Sequence, residues 1–349
     1  MFGPSRAYSL KTCTVAHPLH FSLRIPNAMS VSRRTFFASS AVAASSTILP
    51  TSSRASAASS AASVVPSYEA VGQFLYCLNT STIRGQTEDI VQQIEIASTA
   101  GYDAIEPWIR HIEKYVQDGG SLADLKKRID DAGLTVESAI GFAKWIVNDE
   151  AERQAGLETA KRDMNMLAEI GGKRIAAPPI GAHRKSDPLN PFAMAERYGE
   201  LLKVGDITGV VPQLEVWGFS DNLSRLGESV MVCVESGHPK ACLLPDVYHI
   251  FKGGSPFTGL DLLADDAIHV FHMNDYPAMP AREKMKDGDR VYPGDGVAPL
   301  AEILNMISSP NRSMVLSLEL FNKEYWKQDV NVVAKTGLEK MKAAVAGMG

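Results

Sequence analysis

The stretch VVPQLEVW, residues 210–217, is a short apolar run that carries one carboxylate, Glu215, close to its end. Glycines at 209 and 218 flank it, and such a bounded run predicts a buried strand. The residues after it repeat an apolar side chain at helical spacing and stop before a glycine: Leu223, Leu226, Val230, Val234 and Gly237. The sequence here therefore predicts one strand followed by one helix.

The same unit recurs along the chain from Tyr68 onward. Seven further apolar runs start soon after glycine, proline or serine, at residues 70–76, 102–108, 134–142, 174–180, 241–247, 268–274 and 314–321. Eight strands alternating with about eight helices match the size of a (β/α)8 barrel. A doubly wound open sheet is the alternative, but no G-x-G-x-x-G follows the first run. The sequence therefore predicts an α/β fold, a single-domain (β/α)8 TIM barrel, over residues 68–349.

Residues 1–57 have the layout of a secretory leader. Arg33 and Arg34 precede two phenylalanines and an apolar stretch rich in alanine and serine, which is typical of a twin-arginine (Tat) signal peptide. Met29 is a candidate start, Ala57 is a candidate cleavage site, and residues 58–67 are interpreted as a flexible linker. The apolar stretch is too short to span a bilayer permanently. We therefore expect a periplasmic or otherwise exported protein with no membrane attachment after cleavage.

The charge balance limits the partners of the mature chain. Residues 1–57 contain six basic and no acidic residues, which leaves 29 basic against 40 acidic residues, a net charge of −11. Such an acidic domain has no electrostatic footprint for nucleic acid. A small-molecule substrate is the expected partner, and a homo-oligomer is left open.

Four metal-capable side chains fall at the ends of the predicted strands five to eight: Glu215, Asp246, His272 and Glu319. Active sites of (β/α)8 barrels lie at the carboxyl ends of their strands. Each residue alone suits a rim or core position, but four on consecutive strands predict a metal site. Three carboxylates and one imidazole suit one divalent ion, with Mn²⁺ favoured and Mg²⁺, Co²⁺ or Zn²⁺ as alternatives.

Three other residues are candidates for contacts with a sugar. Glu106 and Trp108 come at the end of the second predicted strand, and Trp145 follows the third. Glu106 could hydrogen-bond a sugar hydroxyl or a neighbouring loop, and the two indoles could stack on a sugar face. For each indole, packing at the rim is an equal alternative.

Four short motifs resemble the xylose-isomerase-like barrel superfamily, especially its ketose 3-epimerases and inosose dehydratases. They are LEVWG (214–218), DVYH (246–249), HMND (272–275) and LELFNKEYW (318–326). The resemblance implies the same four metal ligands, with Glu215 and Glu319 also acting as catalytic acid and base. It further implies that His249 binds substrate oxygens.

Two positions depart from the pattern that the resemblance implies. An acidic substrate contact is expected six residues after Glu215, where this chain has Asp221. An arginine is expected six residues after His272, where this chain has Ala278, so Arg282 is the candidate replacement. Asp221 and Arg282 are predicted to bind substrate on this basis, and the two departures count against simple ketose epimerisation.

The function implied is an isomerase or epimerase that moves a proton through a metal-stabilised enediolate on an unphosphorylated keto-sugar. A lyase, dehydratase or hydratase acting on keto-sugars or 3-keto-glycosides would use the same ligands, so it stays open. A non-catalytic sugar-binding barrel is a further alternative. A DNA-repair endonuclease of the same superfamily would need more histidines at strand ends and a basic surface, so it ranks last.

Overall fold

A computed structural model describes residues 74–184 and 188–348. The strands are β1 Phe74–Asn79, β2 Ala104–Glu106, β3 Thr135–Val136, β4 Arg174–Ala177, β5 Val211–Glu215, β6 Leu243–Leu244, β7 Val270–Met273 and β8 Met314–Leu318. The helices are α1 Ile90–Ala100, α2 Ile109–Gln117, α3 Leu122–Asp131, α4 Glu150–Glu169, α5 Pro191–Thr208, α6 Leu226–Glu235, α7 Val247–Gly253, α8 Leu300–Ile307 and α9 Val330–Ala346. The predicted leader, 1–57, and linker, 58–67, lie outside the described residues.

The strands form a closed parallel barrel. They pair in two groups, in the orders β3-β2-β1-β8-β7 and β4-β5-β6. The amide of Ala176 donates to the carbonyl of Ala139 at 2.8 Å, which joins the β3 side to β4. Parallel bridges from Leu243 to Ile268 and from Asp246 to His272 join the β6 side to β7. The prediction of a (β/α)8 TIM barrel is confirmed.

The helix ends follow from local sequence. The Asp89 carboxylate accepts a hydrogen bond from the amide of Val91 and so caps α1, and Gly101 ends this helix at a φ of 89°. The Ser121 hydroxyl caps α3 by accepting from the amide of Asp124, as the Ser-x-x-Asp motif predicts. These caps fix where each helix packs against its strands.

Two hydrophobic clusters hold the barrel together. The larger lies between strands and helices, and a smaller one includes Cys77, Ala104, Ile140, Leu244, Val270 and Val315. Alternate strand residues face opposite sides of a sheet, so one set of side chains points into the barrel. Several polar residues at or just after strand ends are also fully buried, namely Asn79, Glu106, Asp246, His272 and Asn274. Buried polar groups need partners, so this end of the barrel is the place to look for a site. None of the helices in 74–184 and 188–348 is long and apolar enough to cross a membrane.

Candidate metal centre

Asp246, His272 and Glu319 converge at the carboxyl ends of β6, β7 and β8. One ligand atom from each lies within 4.8 Å of the others, and all three side chains are buried. The Nδ1 of His272 is 3.2 Å from Oε2 of Glu319 and 3.9 Å from Oδ2 of Asp246. Two carboxylates and one imidazole in this arrangement can hold a metal ion.

The fourth predicted ligand, Glu215, ends β5 and lines the same cavity as Glu319. It lies outside the three-residue group that can hold a metal, and its buried Oε2 has no hydrogen-bond partner within the described part of the chain. Burial and, second, the negative charge of Glu319 raise the pKa of Glu215 to about 8. An unpartnered buried carboxylate oxygen is costly unless it is protonated or meets a cation.

Glu106 orients the histidine of this group. Its Oε2 is 3.0 Å from Nε2 of His272 and accepts hydrogen bonds from Asn79 at 2.9 Å and Ser317 at 2.6 Å. A carboxylate facing Nε2 favours a proton there, which turns the Nδ1 lone pair toward Asp246 and Glu319. Glu106 is fully buried and does not line the cavity, and its contact with a sugar stays a prediction. It lies behind His272.

Replacement of Glu106 by glutamine should therefore weaken metal binding. The residues that line the cavity stay the same in this variant. The amide can still contact His272, but it no longer holds the imidazole in one tautomer with a negative charge. Loss of such a partner typically lowers metal affinity by about 10- to 100-fold. Competition with a chromophoric chelator measures this, and Glu137→Gln is a matched control because Glu137 is a buried carboxylate paired with Lys173 and Arg174. Unchanged affinity in Glu106→Gln would contradict the assignment.

Asp246 is held by its neighbours in the same way. It caps α7, where Oδ1 accepts from the amide of His249 at 2.7 Å, and its Oδ2 accepts from Nδ2 of Asn274 at 2.8 Å. The Oδ1 of Asn274 in turn accepts from the amide of Tyr248 at 3.0 Å. The carboxylate is thus fixed before any ligand arrives.

Arg290 is the main feature of the site that sequence reasoning missed. Its buried guanidinium donates from Nη1 to Oε2 of Glu319 at 2.7 Å and to Oδ2 of Asp246 at 3.1 Å, and from Nη2 to Asp287 at 2.9 Å. The charges of His272 and Arg290 outweigh the effect of burial and hold the pKa of Glu319 well below its usual range. Arg290, rather than Arg282, is the arginine that contacts Asp246 and Glu319.

His249 lies between two hydrogen-bond donors. The amide of Gly218 donates to its Nδ1 at 3.3 Å, and Nη2 of Arg290 is 2.9 Å from its Nε2. Burial and the charge of Arg290 lower the pKa of His249, which favours the neutral ring. A neutral imidazole has one acceptor nitrogen, so the two donors compete for it. An oxygen of a ligand placed beside Nε2 and Arg290 would satisfy both.

Gly218 permits this arrangement because a side chain there would not fit. An added Cβ would lie 2.3 Å from the carbonyl oxygen of His249 and 2.6 Å from the amide of Gly253. The β5–α6 loop therefore packs directly on the backbone of α7. This close approach holds the loop that carries Trp217 and Phe219 against the site.

Glu215, His249, Arg290 and Glu319 form the polar floor of a cavity of about 350 Å³. Its walls are aromatic, formed by Trp108, Phe142, Trp217, Phe219, Phe321 and Trp326. Trp108 is 6% exposed, and within the described residues its indole N–H has no hydrogen-bond partner. A polar floor with aromatic walls is typical of sites that bind small polar molecules with one apolar face.

Three predicted substrate contacts lie away from this cavity. Trp145 is 1% exposed and belongs to the core, where its indole donates to the carbonyl of Pro178 at 2.9 Å. Asp221 is exposed at the start of the segment before α6. Arg282 is exposed too, and its guanidinium is 3.3 Å from Glu283. Of the six predicted substrate contacts, His249 and Trp108 line the cavity.

The donor set fits a divalent cation. The oxygen of Glu215 without a partner and the unbonded Nδ1 of buried His272 are the atoms that a cation would satisfy. Without a cation, the carboxylates of Glu319 and Glu106 outweigh burial and raise the pKa of His272 well above its usual range. In the metal-free protein, His272 and Glu215 would thus both carry protons at neutral pH.

Metal uptake should consequently release protons, with one coming from Glu215. Because its pKa in the metal-free protein is about 8, Glu215 is protonated below that pH and must ionise to bind a cation. Metal affinity should rise with pH up to about 8 and then flatten for this group. Calorimetry in buffers of different ionisation enthalpy counts the protons. Glu215→Gln should release about one fewer proton at pH 7, and an identical count would contradict the raised pKa.

Comparison with known proteins identifies a matching family and related sequences. A model of the xylose isomerase-like TIM barrel family matches residues 94–344. Inosose isomerase from Bacillus velezensis is 27% identical over 276 residues, which cover 77% of this chain and 96% of that protein. The 3-dehydroshikimate dehydratase of Pseudomonas aeruginosa is 21% identical over 253 residues, covering 72% of this chain and 39% of that protein.

A solved structure has the same architecture. The crystal structure of the IOLI protein with a binding zinc atom has a TM-score of 0.72 and 21% sequence identity, covering 79% of this chain and 99% of that chain. The matching family model spans most of the barrel from α1 to α9. The chain therefore belongs to the xylose isomerase-like TIM barrel family.

Proposed function

We propose that the protein is a divalent-metal-dependent isomerase or epimerase of a keto-sugar. One observation carries the proposal: the buried side chains of Asp246, His272 and Glu319 converge, and Glu319 also lines the cavity together with Glu215. A divalent cation held there would supply positive charge beside a substrate carbonyl, which makes a neighbouring C–H more acidic. The proton transfers fall to the protein's own side chains.

Glu215 and Glu319 are the proposed acid and base. Isomerisation or epimerisation needs one group to take a proton from carbon and another to return it. In the metal-free protein, burial raises the pKa of Glu215, while the charges of His272 and Arg290 outweigh burial and lower the pKa of Glu319. Two carboxylates in one cavity whose pKa values are driven apart suit complementary acid and base roles.

His249 and Arg290 are proposed to position the substrate. Both present donors at the floor of the cavity, 2.9 Å apart from nitrogen to nitrogen. A carbonyl or hydroxyl oxygen seated beside them would accept from both and develop negative charge as the proton leaves. This role of Arg290 replaces the one that the sequence suggested for Arg282.

The relatives support this class of reaction. The Bacillus velezensis relative is an inosose isomerase, and the related solved structure holds zinc. Sequence reasoning favours Mn²⁺, so the metal is tested with both ions. Phosphorylated sugars are not proposed, because a phosphate dianion is usually met by a cluster of backbone amides or several cations.

Elimination is the second candidate reaction, and the relation to a 3-dehydroshikimate dehydratase favours it. If the intermediate loses a substituent from the neighbouring carbon before it is reprotonated, the same groups perform a lyase or dehydratase reaction. A keto-sugar or a 3-keto-glycoside would then lose a hydroxyl or alkoxy group.

The test is hydrogen exchange followed by NMR in D₂O. The protein is incubated with ketoses, inososes and 3-keto-glycosides, before and after chelation and after reloading with Mn²⁺, Zn²⁺, Mg²⁺ or Co²⁺. Chelator-sensitive deuterium uptake beside a carbonyl, with a new isomer, is the expected result. Loss of a substituent would assign the elimination reaction. No exchange in metal-loaded protein across the set would contradict both and favour a non-catalytic sugar-binding barrel.

Export through the Tat pathway is proposed for the same enzyme. The support is the pair Arg33 and Arg34 before an apolar stretch rich in small residues. Cell fractionation should find the protein in the periplasm, and the double variant Arg33→Lys, Arg34→Lys should keep it in the cytoplasm. Equal distribution of both forms would contradict a twin-arginine signal.

A further inference from the structure

Arg84 places a positive charge in the wall of the cavity. It follows the 3₁₀ turn Thr80–Ile83 after β1 and is half-buried. The carbon at the centre of its guanidinium lies 4.8 Å from the ring centroid of Trp108, 4.9 Å from that of Phe321 and 5.3 Å from that of Trp326. Aromatic faces attract a guanidinium but do not neutralise its charge.

Among the described residues, no acidic side chain pairs with this guanidinium. Across 74–184 and 188–348, Arg84 has neither an ion pair nor a side-chain hydrogen bond, whereas Arg110, stacked on the same Trp108 ring, is 2.9 Å from Glu88. Burial and, second, the charge of Arg110 lower the pKa of Arg84. A half-buried cation that stacks on rings and makes no direct ion pair gains from an anion that enters the cavity.

A second cation lines the same wall. Lys323 follows β8, which pairs directly with β1, so Arg84 and Lys323 come together although 239 positions separate them. The Lys323 ammonium is exposed and, in the described chain, has no ion pair. The sequence has no cluster of basic residues that would predict this pair. The barrel topology brings the two residues to the same cavity.

The position of Arg84 is fixed in advance by Trp326. The indole of Trp326 donates to the carbonyl of Thr82 at 3.1 Å, which ties the ring to the turn before Arg84. A Cβ on Gly85 would lie 2.3 Å from Cγ of Trp326, so only glycine lets the ring pack this closely. The position of Arg84 is thus set before a ligand binds, and its guanidinium can meet the ligand without rearrangement of this wall.

We propose that Arg84, assisted by Lys323, binds a carboxylate of the substrate, which makes the substrate class keto-sugar acids rather than neutral keto-sugars. The inference rests on the proposed function, because the same cavity must hold the reacting carbon. A single negative charge fits better than a phosphate dianion, since one guanidinium and one exposed ammonium face it. The nearby charges of Asp287 and Glu319 also act on Arg84 and disfavour a more highly charged ligand.

The test compares D-fructuronate with D-fructose, a keto acid and a neutral ketose that differ in one terminal carboxylate. Affinities are measured by calorimetry and by quenching of tryptophan fluorescence, in metal-loaded and in chelator-treated protein. Wild type should bind fructuronate about tenfold more tightly or better, since hydrogen bonds to charged groups contribute about 1.5–3 kcal/mol. High salt should reduce the preference.

Variants assign the preference to Arg84. Arg84→Met should remove most of it, and Arg84→Lys should restore part of it. Arg110→Met is the matched control, because it removes a cation from the same ring but outside the cavity lining, and it should keep the preference. If Arg84→Met does not fold, Lys323→Met and the salt dependence of wild type decide.

Several results would overturn the inference. They are equal affinity of wild type for the two sugars, a preference that survives in Arg84→Met, and a preference that disappears on chelation alone. An Arg84-dependent gain for fructose 6-phosphate without one for fructuronate would also overturn it, in favour of a phosphate. Proton exchange on a neutral ketose without any acid preference would refute this inference alone. An Arg84-dependent preference without exchange on any substrate would refute the proposed function alone.

Discussion

Replacement of Glu215 by glutamine should lower the rate of proton exchange by about 10²- to 10⁴-fold, the usual contribution of a general acid or base. The amide has nearly the same shape but can neither give nor accept the proton that the carbon exchanges. Asp246, His272 and Glu319 all remain in this variant, so it should still take up an ion when metal is in excess. Metal content and exchange rate, measured on the same preparation, separate these two effects.

Two controls sharpen this prediction. Glu137→Gln changes a buried carboxylate that pairs with Lys173 and does not line the cavity, so its exchange rate should match wild type. Glu215→Asp keeps a carboxylate and should retain part of the rate. An exchange rate in metal-loaded Glu215→Gln equal to that of wild type would remove Glu215 from the chemistry.

Replacement of Arg290 by methionine should destabilise the metal-free protein by about 3–5 kcal/mol, the usual cost of leaving buried charges without a partner. Methionine fills much of the same space, but Asp246 and Glu319 lose the donor that lies 3.1 and 2.7 Å away. A bound cation would restore the balance of charge at these two carboxylates. The loss of stability should therefore be much smaller in saturating metal.

Denaturant unfolding with and without Zn²⁺ or Mn²⁺ checks the prediction for Arg290. Arg282→Met is the control, since Arg282 is exposed beside Glu283 and its loss should cost less than about 1 kcal/mol. A metal-free Arg290→Met variant as stable as wild type would show that the buried ion pairs do not hold the empty site together.

The fold was predictable because each strand and each helix has a recognisable local sequence pattern. Most of the apolar runs start soon after glycine, proline or serine, and helices between them begin with residues such as Ser121 that cap them. The barrel rule then places Asp246, His272 and Glu319 at one end of parallel strands, and the structure brings those three together. Local pattern and topology suffice for this part.

The remainder of the site depends on contacts that no local pattern specifies. The loop 274–297 contains Arg282, Lys284, Lys286 and Arg290, and its sequence alone does not show which cation turns inward. A bridge between Asp275 and Val291 and a hydrogen bond from Asn322 to the carbonyl of Arg290 decide it. Asp275 also accepts from the amides of residues 294, 296 and 298, which folds the loop onto β7.

Glu106 and Trp145 illustrate the same limit. Both come soon after strands, where a rim position is the natural expectation. Glu106 is the last residue of a three-residue strand, and its side chain points into the barrel toward Asn79 and Ser317. Trp145 packs against Tyr198 of α5, at 5.8 Å between ring centroids, because the segment before α4 folds back over the core. The direction of the side chain, rather than the position of the residue along the chain, decides whether a residue lines the cavity or packs in the core.

Anomalous diffraction from crystals soaked in Zn²⁺ or Mn²⁺ tests the central claim most directly, that Asp246, His272 and Glu319 form a metal centre. The account predicts one strong peak at about 2.0–2.2 Å from Nδ1 of His272 and from a carboxylate oxygen of each acid, distances typical of such ligands. Glu215 would complete the set if its oxygen lies at a similar distance. Absence of a peak there, with Arg290 still bonded to Asp246 and Glu319 in metal-soaked crystals, would contradict it.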